Sequence, residues 1–158
     1  MREIEETYDL KNLFILSSQN FFSISQFLMT RILSIILLAF IGLGAVYGGV
    51  NLISDPTGWK IGLHTGMLKY SPFKDFLIPG IILFFVLGLG SLFTCAMATL
   101  RTARYPLWVI FFGFAIAIWI SVQMLMLRDV YFLQVLFGAI GITLMILGII
   151  ERKKEFDG

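Results

Sequence analysis

Residues 77–100 read LIPGIILFFVLGLGSLFTCAMATL, a run without a single Asp, Glu, Lys, Arg or His. An α-helix rises about 1.5 Å per residue, so roughly twenty apolar residues cross the ~30 Å hydrocarbon core of a bilayer. This run is long enough. Three others match it: Ile32 to Ile53 before it, then Pro106 to Leu127 and Phe132 to Ile150, all free of the same five residue types. Hydrocarbon offers no partner to a backbone N–H or C=O, so a spanning segment must bond within itself or close into a barrel. The alternation of a barrel strand is absent. The sequence therefore predicts an all-α fold, a four-transmembrane-helix up-down bundle forming one domain over residues 32–150.

Composition agrees. The chain has 158 residues, 58% hydrophobic and 14% charged, with a mean hydropathy of +0.90. A soluble domain carries about 25% charged residues, so much of this surface must face lipid. Net charge is +2 and the basic residues sit at segment ends rather than along one face, which argues against a nucleic-acid partner. Cys95 is the sole cysteine; it excludes an intramolecular disulfide, a CxxC pair and a cysteine-built zinc site.

Orientation follows the basic residues at the span ends. Arg31, Arg101, Arg104, Arg152, Lys153 and Lys154 fall on one side; Lys60, Lys69, Lys74 and Arg128 fall on the other. The richer side is assigned to the cytoplasm. Both termini then lie inside, and the 55–76 loop is extracytoplasmic. Arg101–Tyr105 and Arg128–Tyr131 are short links that make neighbouring helices antiparallel. Membrane helices associate through small residues, and each span has a stripe of them. These are Gly44, Ala45, Gly48 and Gly49; Gly88, Ser91, Cys95 and Ala98; Gly113, Ala117 and Ser121; and Gly138, Gly141 and Gly148. Packing within one compact bundle is the expected use, with a dimer seam as the alternative.

Residues 1–31 form a cytoplasmic N-terminal extension. Its Glu3, Glu5, Glu6 and Asp9 are wrong for a signal peptide. Phe21, Ile24, Phe27 and Leu28 share a helical face opposite Ser23, Ser25 and Gln26, the pattern of an interfacial amphipathic helix. Met29-Thr30-Arg31 ahead of the first span reads as an alternative start. Residues 151–158, Glu151 included, read as a solvated cytoplasmic tail, with contact of its basic trio to anionic lipid heads as the alternative.

The polar island between the first two spans concentrates the chemistry. Asp55-Pro56-Thr57-Gly58 matches a type I turn: Asp first, Pro second, Gly fourth. Trp59 suits the headgroup layer. Ile61-Gly62-Leu63 and Met67-Leu68 are too apolar for a free loop and should lie on the bundle. For the second helix two starts are open. Either Ser71 caps it with Pro72 in the first position, and Pro79 kinks it, or Asp75 caps it and Pro79 sits harmlessly in the first turn.

The run from Gly48-Gly49 through Leu52-Ile53 and Asp55-Pro56-Thr57-Gly58 to Ser71-Pro72-Phe73 and Asp75-Phe76-Leu77-Ile78-Pro79-Gly80, with Trp119 and Gln123 in the third span, resembles a group of small bacterial four-helix integral membrane proteins of unknown function. The likeness covers roughly residues 32–150 and implies fold and a bacterial cytoplasmic-membrane location only.

Candidate binding residues for a lipid or protein partner are Asp55, Trp59, His64, Lys69 and Asp75, all on this face. Membrane lipids are the expected partners, with a membrane protein or a second copy as the alternative. His64, Asp55 and Asp75 are the only possible ligand trio, and no nucleophile or phosphate-loop motif accompanies them, so no catalytic residue, metal or cofactor is assigned. Two other functions stay open: a small transporter or pore for an uncharged solute, with Ser91, Thr94, Ser121, Gln123 and Thr143 as its polar groups, and an outer-leaflet enzyme using His64 as acid or base.

Overall fold

The computed structural model describes residues 2–156, with side chains described at position 21 and over 25–153. Among them every regular element is helical and there is no strand. Helix α1 runs Arg2–Ser54, α2 Leu77–Thr99, α3 Tyr105–Leu127 and α4 Phe132–Phe156. Four segments are long and apolar enough to cross a membrane: Ser25–Ser54, Leu77–Thr99, Tyr105–Leu127 and Phe132–Lys153. The last three coincide with the expected spans to within three residues, and the first begins seven residues earlier than the expected Ile32. The backbone of α1 continues from the extension into the first span without a break. Part of the face drawn through Phe21, Ile24, Phe27 and Leu28 lies on side chains outside the described residues.

Local chemistry sets the helix ends. The last bond of α1 runs from Asp55 N–H to Asn51 O at 2.9 Å, and Pro56 then offers no donor to continue. At the start of α2 the Asp75 option holds. Leu77 N–H donates to Asp75 Oδ1 at 3.0 Å, and Pro79 lies in the first turn, where its missing N–H breaks no intrahelical bond. Ser71 instead makes a local turn, accepting from Phe73 N–H at 3.2 Å. Helix α3 has Pro106 in its first positions and stops at Arg128 in the left-handed region, φ 52°. In the middle of α2, Leu83–Leu89 is wound as a π-helix between two α-helical segments. Such segments insert an extra residue per turn and often mark a functional site.

Two seams hold the helices in pairs. Between α1 and α2, a methyl at Gly49 would lie 2.8 Å from the Phe84 Cα and N, and one at Gly88 would lie 2.9 Å from Val46 Cγ2. Gly42 faces Leu92 and Gly80 faces Leu52 with equal closeness. Between α3 and α4, a methyl at Gly113 would lie 2.7 Å from Gly141 O, and one at Gly148 would lie 2.9 Å from Pro106 O. The glycine stripes thus serve intramolecular packing, with two corrections to their membership. Gly44 meets nothing within 4 Å and belongs to no seam among the described residues. Ser121 is exposed and donates its hydroxyl to Ala117 O at 2.8 Å. Leu38, Ile41, Leu87, Val109, Phe112, Ile116 and Leu144 fill the space between helices. Phe40, Phe85, Phe111, Phe114, Ile142 and Ile146 stay exposed, each more than half accessible, as an apolar belt for lipid.

The end of the bundle opposite the 55–76 loop is closed by a polar cluster. Glu151 was expected in a solvated tail; instead it is 0% exposed. The reason is helical period. Helix α4 runs on to Phe156, so Leu144, Leu147, Gly148 and Glu151 share one buried face. Ser34 Oγ donates to Glu151 Oε1 at 2.7 Å, and the Tyr105 hydroxyl and the Arg31 charge also face the carboxylate. Three helices are pinned at one point.

Candidate functional site

The 55–76 loop is built on one carboxylate. Asp55 Oδ1 accepts from Thr57 N–H at 3.2 Å and from the Thr57 hydroxyl, while Oδ2 accepts from Lys60 N–H at 3.0 Å. The Thr57 hydroxyl and then the Lys60 N–H hold this carboxyl below the usual aspartate range. Gly58 takes φ 83°, a left-handed conformation in which a side chain is strained. Its carbonyl accepts from Leu63 N–H at 3.0 Å, and Phe76 N–H returns to Pro56 O at 2.9 Å, tying the two ends of the loop together. Arg128, at the end of α3, lays its guanidinium 4.1 Å from the Tyr70 ring centre.

The apolar part of the loop packs as its composition demands. Leu68 and Phe76 join Leu52 in a small buried cluster, with Ile61, Leu63, Phe73, Leu83 and Met126 around it. This cluster forms a roof, and beneath the roof is a cavity of about 850 Å³. Its walls come from the loop (Leu63, His64, Met67), from α2 (Pro79, Ile82, Leu83), from α3 (Trp119, Gln123, Met126) and from the start of α4 (Tyr131, Gln134). A second cavity of about 280 Å³ shares Leu52, Leu63, Leu83, Trp119, Gln123 and Gln134 with the first, and extends beside Ile41, Ala45, Leu87 and Phe137. Ligand sites of small molecules typically span ~300–1,000 Å³ and are apolar with a few placed polar groups. Among the described residues no Asp, Glu, Lys or Arg lines either space.

The polar side chains of the walls are the two amides of Gln123 and Gln134, the His64 imidazole and the Tyr131 phenol. Gln134 is only 6% exposed. Its Oε1 accepts from Tyr131 N–H at 3.0 Å, capping the first turn of α4 in the manner of a capping box. That bond fixes the amide's orientation and leaves Nε2 as a donor without a partner among the described residues. Half-buried Gln123 likewise has no hydrogen-bond partner among them. Neither amide nitrogen is a sealed, unsatisfied atom; both side chains line the cavity, where an acceptor can meet them.

Of the five residues singled out from sequence, the structure brings His64 alone to this cavity. It stands at the rim, edge-on to Trp59 at 4.5 Å between ring centres, and among the described residues no carboxylate lines the cavity beside it. Asp55 uses both oxygens within its own turn, and Asp75 Oδ1 accepts from Leu77 N–H. Trp59 is 70% exposed, and Lys69 is exposed with its ammonium 5.7 Å from the Tyr70 ring. Asp55, His64 and Asp75 form no metal-ligand group; none exists among the described residues. Sequence reasoning missed Gln134 altogether. Its signal was a glutamine three residues into an apolar run behind a short link, the capping-box position. Comparison with protein-family models, with curated proteins and with solved structures finds no match.

Proposed function

We propose that this chain is a non-catalytic integral protein of a bacterial cytoplasmic membrane, with both termini inside and the 55–76 loop outside, and that it binds a membrane lipid in the cavity beneath that loop. The up-down order is supported by the seams, in which 42 lies by 92, 49 by 84 and 52 by 80, and then 106 by 148 and 113 by 141. The single observation that carries the binding role is the apolar cavity with two unmet amides at the loop end of the bundle. An enzymatic reading is not favoured, since among the described residues His64 has no hydrogen-bond partner able to take up or hold its proton.

The test is gentle extraction followed by native mass spectrometry and lipid analysis. The expected result is a stoichiometric lipid adduct on the wild type that is lost from Met126→Trp, whose larger side chain fills the wall. Lipid recovery equal to that of an unrelated four-helix protein, or unchanged in Met126→Trp, would overturn the reading. Labelling of Thr65→Cys in a Cys95→Ala background, from outside intact cells, tests the orientation; labelling only after permeabilisation reverses it.

A further inference from the structure

We propose that the cavity selects an uncharged lipid bearing ester or ketone carbonyls, its head accepting hydrogen bonds from the Gln123 and Gln134 side-chain amides. The inference rests on the cavity being a lipid site. Three observations lead from the walls to this chemistry. Charge comes first: no Lys or Arg reaches the lining among the described residues, so a phosphate head would enter without a counter-ion. Lys60 donates to Ser54 Oγ at 3.2 Å, and Arg128 covers Tyr70 from outside the cavity, so neither basic side chain is turned inward. Taking an uncompensated anion out of water is far costlier than taking a neutral ester.

The second observation is the direction of the free hydrogen-bonding capacity. Gln134 is nine-tenths buried, its oxygen is engaged by Tyr131 N–H, and only its NH₂ remains. A donor calls for an acceptor. Carbonyl oxygens are the acceptors that an apolar lipid carries without adding charge. Gln123 lines the same two spaces and supplies a second amide. Third, both amides sit where the two cavities join, so a head held there leaves room for chains along either apolar wall.

The experiment reads the fluorescence of Trp119, which lines both spaces, in protein carrying Trp59→Phe and Trp108→Phe. Four quenchers are titrated in detergent: a diacylglycerol with brominated chains, decylubiquinone, a phosphatidylglycerol with the same brominated chains, and 1-bromohexadecane. The expected result is saturable quenching by at least one of the two neutral carbonyl lipids, about tenfold tighter than by the phosphatidylglycerol or the bromoalkane. Which neutral lipid binds tighter identifies the source of the carbonyl, ester or quinone. Gln134→Glu keeps an oxygen for Tyr131 N–H but removes the free donor, and Gln123→Met removes the other; each is expected to weaken neutral-lipid binding about five- to tenfold.

If phosphatidylglycerol or the bromoalkane binds as tightly, or both glutamine variants bind as the wild type does, the carbonyl selection falls while the lipid site stands. If no quencher saturates, the lipid site falls with it. Should either variant fail to fold, the ranking of the four quenchers on the parent protein still decides.

Discussion

Gly49→Ala and Gly44→Ala, made side by side in α1, separate packing from helix propensity. Both replace glycine by alanine in the same helix, so the propensity gain of ~0.5–1 kcal/mol is common to both and cancels in their difference. What remains is the space around each position. At Gly44 the added methyl meets nothing within 4 Å; at Gly49 it would lie 2.6 Å from Phe84 Cβ and 2.8 Å from the Phe84 Cα and N. Carbon pairs are comfortable at about 3.5–4.0 Å, so the two backbones would have to part by most of an ångström. Phe84 has no freedom to swing aside, because the atoms met are backbone and Cβ and its helix is held against α1 on either side of it, at Gly80 and Gly88. Overpacking of this kind costs about 1–3 kcal/mol. Gly49→Ala is therefore expected to be ~1–3 kcal/mol less stable than Gly44→Ala, which itself matches or slightly exceeds the wild type. Equilibrium unfolding in mixed micelles with increasing dodecyl sulfate, followed by circular dichroism, measures the difference. Equal stabilities, or Gly49→Ala the more stable, would refute the α1–α2 seam.

Three further outcomes follow from the loop and from the polar cluster. Glu151→Ala strands the buried Ser34 hydroxyl, an expected loss of about 1–3 kcal/mol in the same assay, whereas Glu151→Gln keeps an acceptor for it and should lose less than half of that; equal losses count against the buried carboxylate as the joint. The lowered Asp55 pKa means that its contribution to loop order is complete above the ordinary aspartate range and fades only as pH falls through the depressed value. Thr57→Val, by removing the largest cause, should move the Asp55 carboxyl titration upward in a ¹³C NMR experiment, and an unmoved titration refutes the assignment. Arg128→Ala removes the cation from Tyr70, and hydrogen exchange at the Lys69 and Ser71 amides, both bonded within the loop, should quicken roughly two- to fivefold.

What could be read from the sequence was set by hydrocarbon and by local turn chemistry. Four uncharged runs give four helices long and apolar enough to cross a membrane, and Asp-Pro-Thr-Gly fixes its own turn through the Asp55 side chain. Long-range facts were not legible. The glycine stripe of the first span looks the same at Gly44 and Gly49, and only the partner helix tells them apart. Glu151 looks like the first residue of a charged tail because hydropathy is read along the chain, whereas burial depends on where the helix turns it. Reading the face instead (Leu144, Leu147, Gly148, Glu151) would have exposed the anomaly. The π turn at Leu83–Leu89 has no sequence signature here.

The hollow under the loop is a consequence of how the small residues are distributed. Glycines draw α1 to α2 and α3 to α4, so each pair is joined backbone to backbone. Between the pairs, contact depends on large side chains such as Leu87, Phe112, Ile116 and Trp119, and the π segment meets α3 only sparsely. Two tight pairs with a loose interface will splay unless something ties them. At one end the Ser34–Glu151 bond ties α1 to α4 across the two pairs. At the other end no such polar tie crosses among the described residues, and the loop bridges the gap instead, with Arg128 on Tyr70 as its outer clasp. A space bounded this way is open to adjustment on its loop side and fixed on the other. Joining the pairs at the loop end should therefore close the cavity without unfolding the bundle. A disulfide would test that geometry only where Cα atoms approach within about 7 Å, so a cavity-filling side chain at Met126 is the more direct probe, and its effect should fall on lipid recovery rather than on stability.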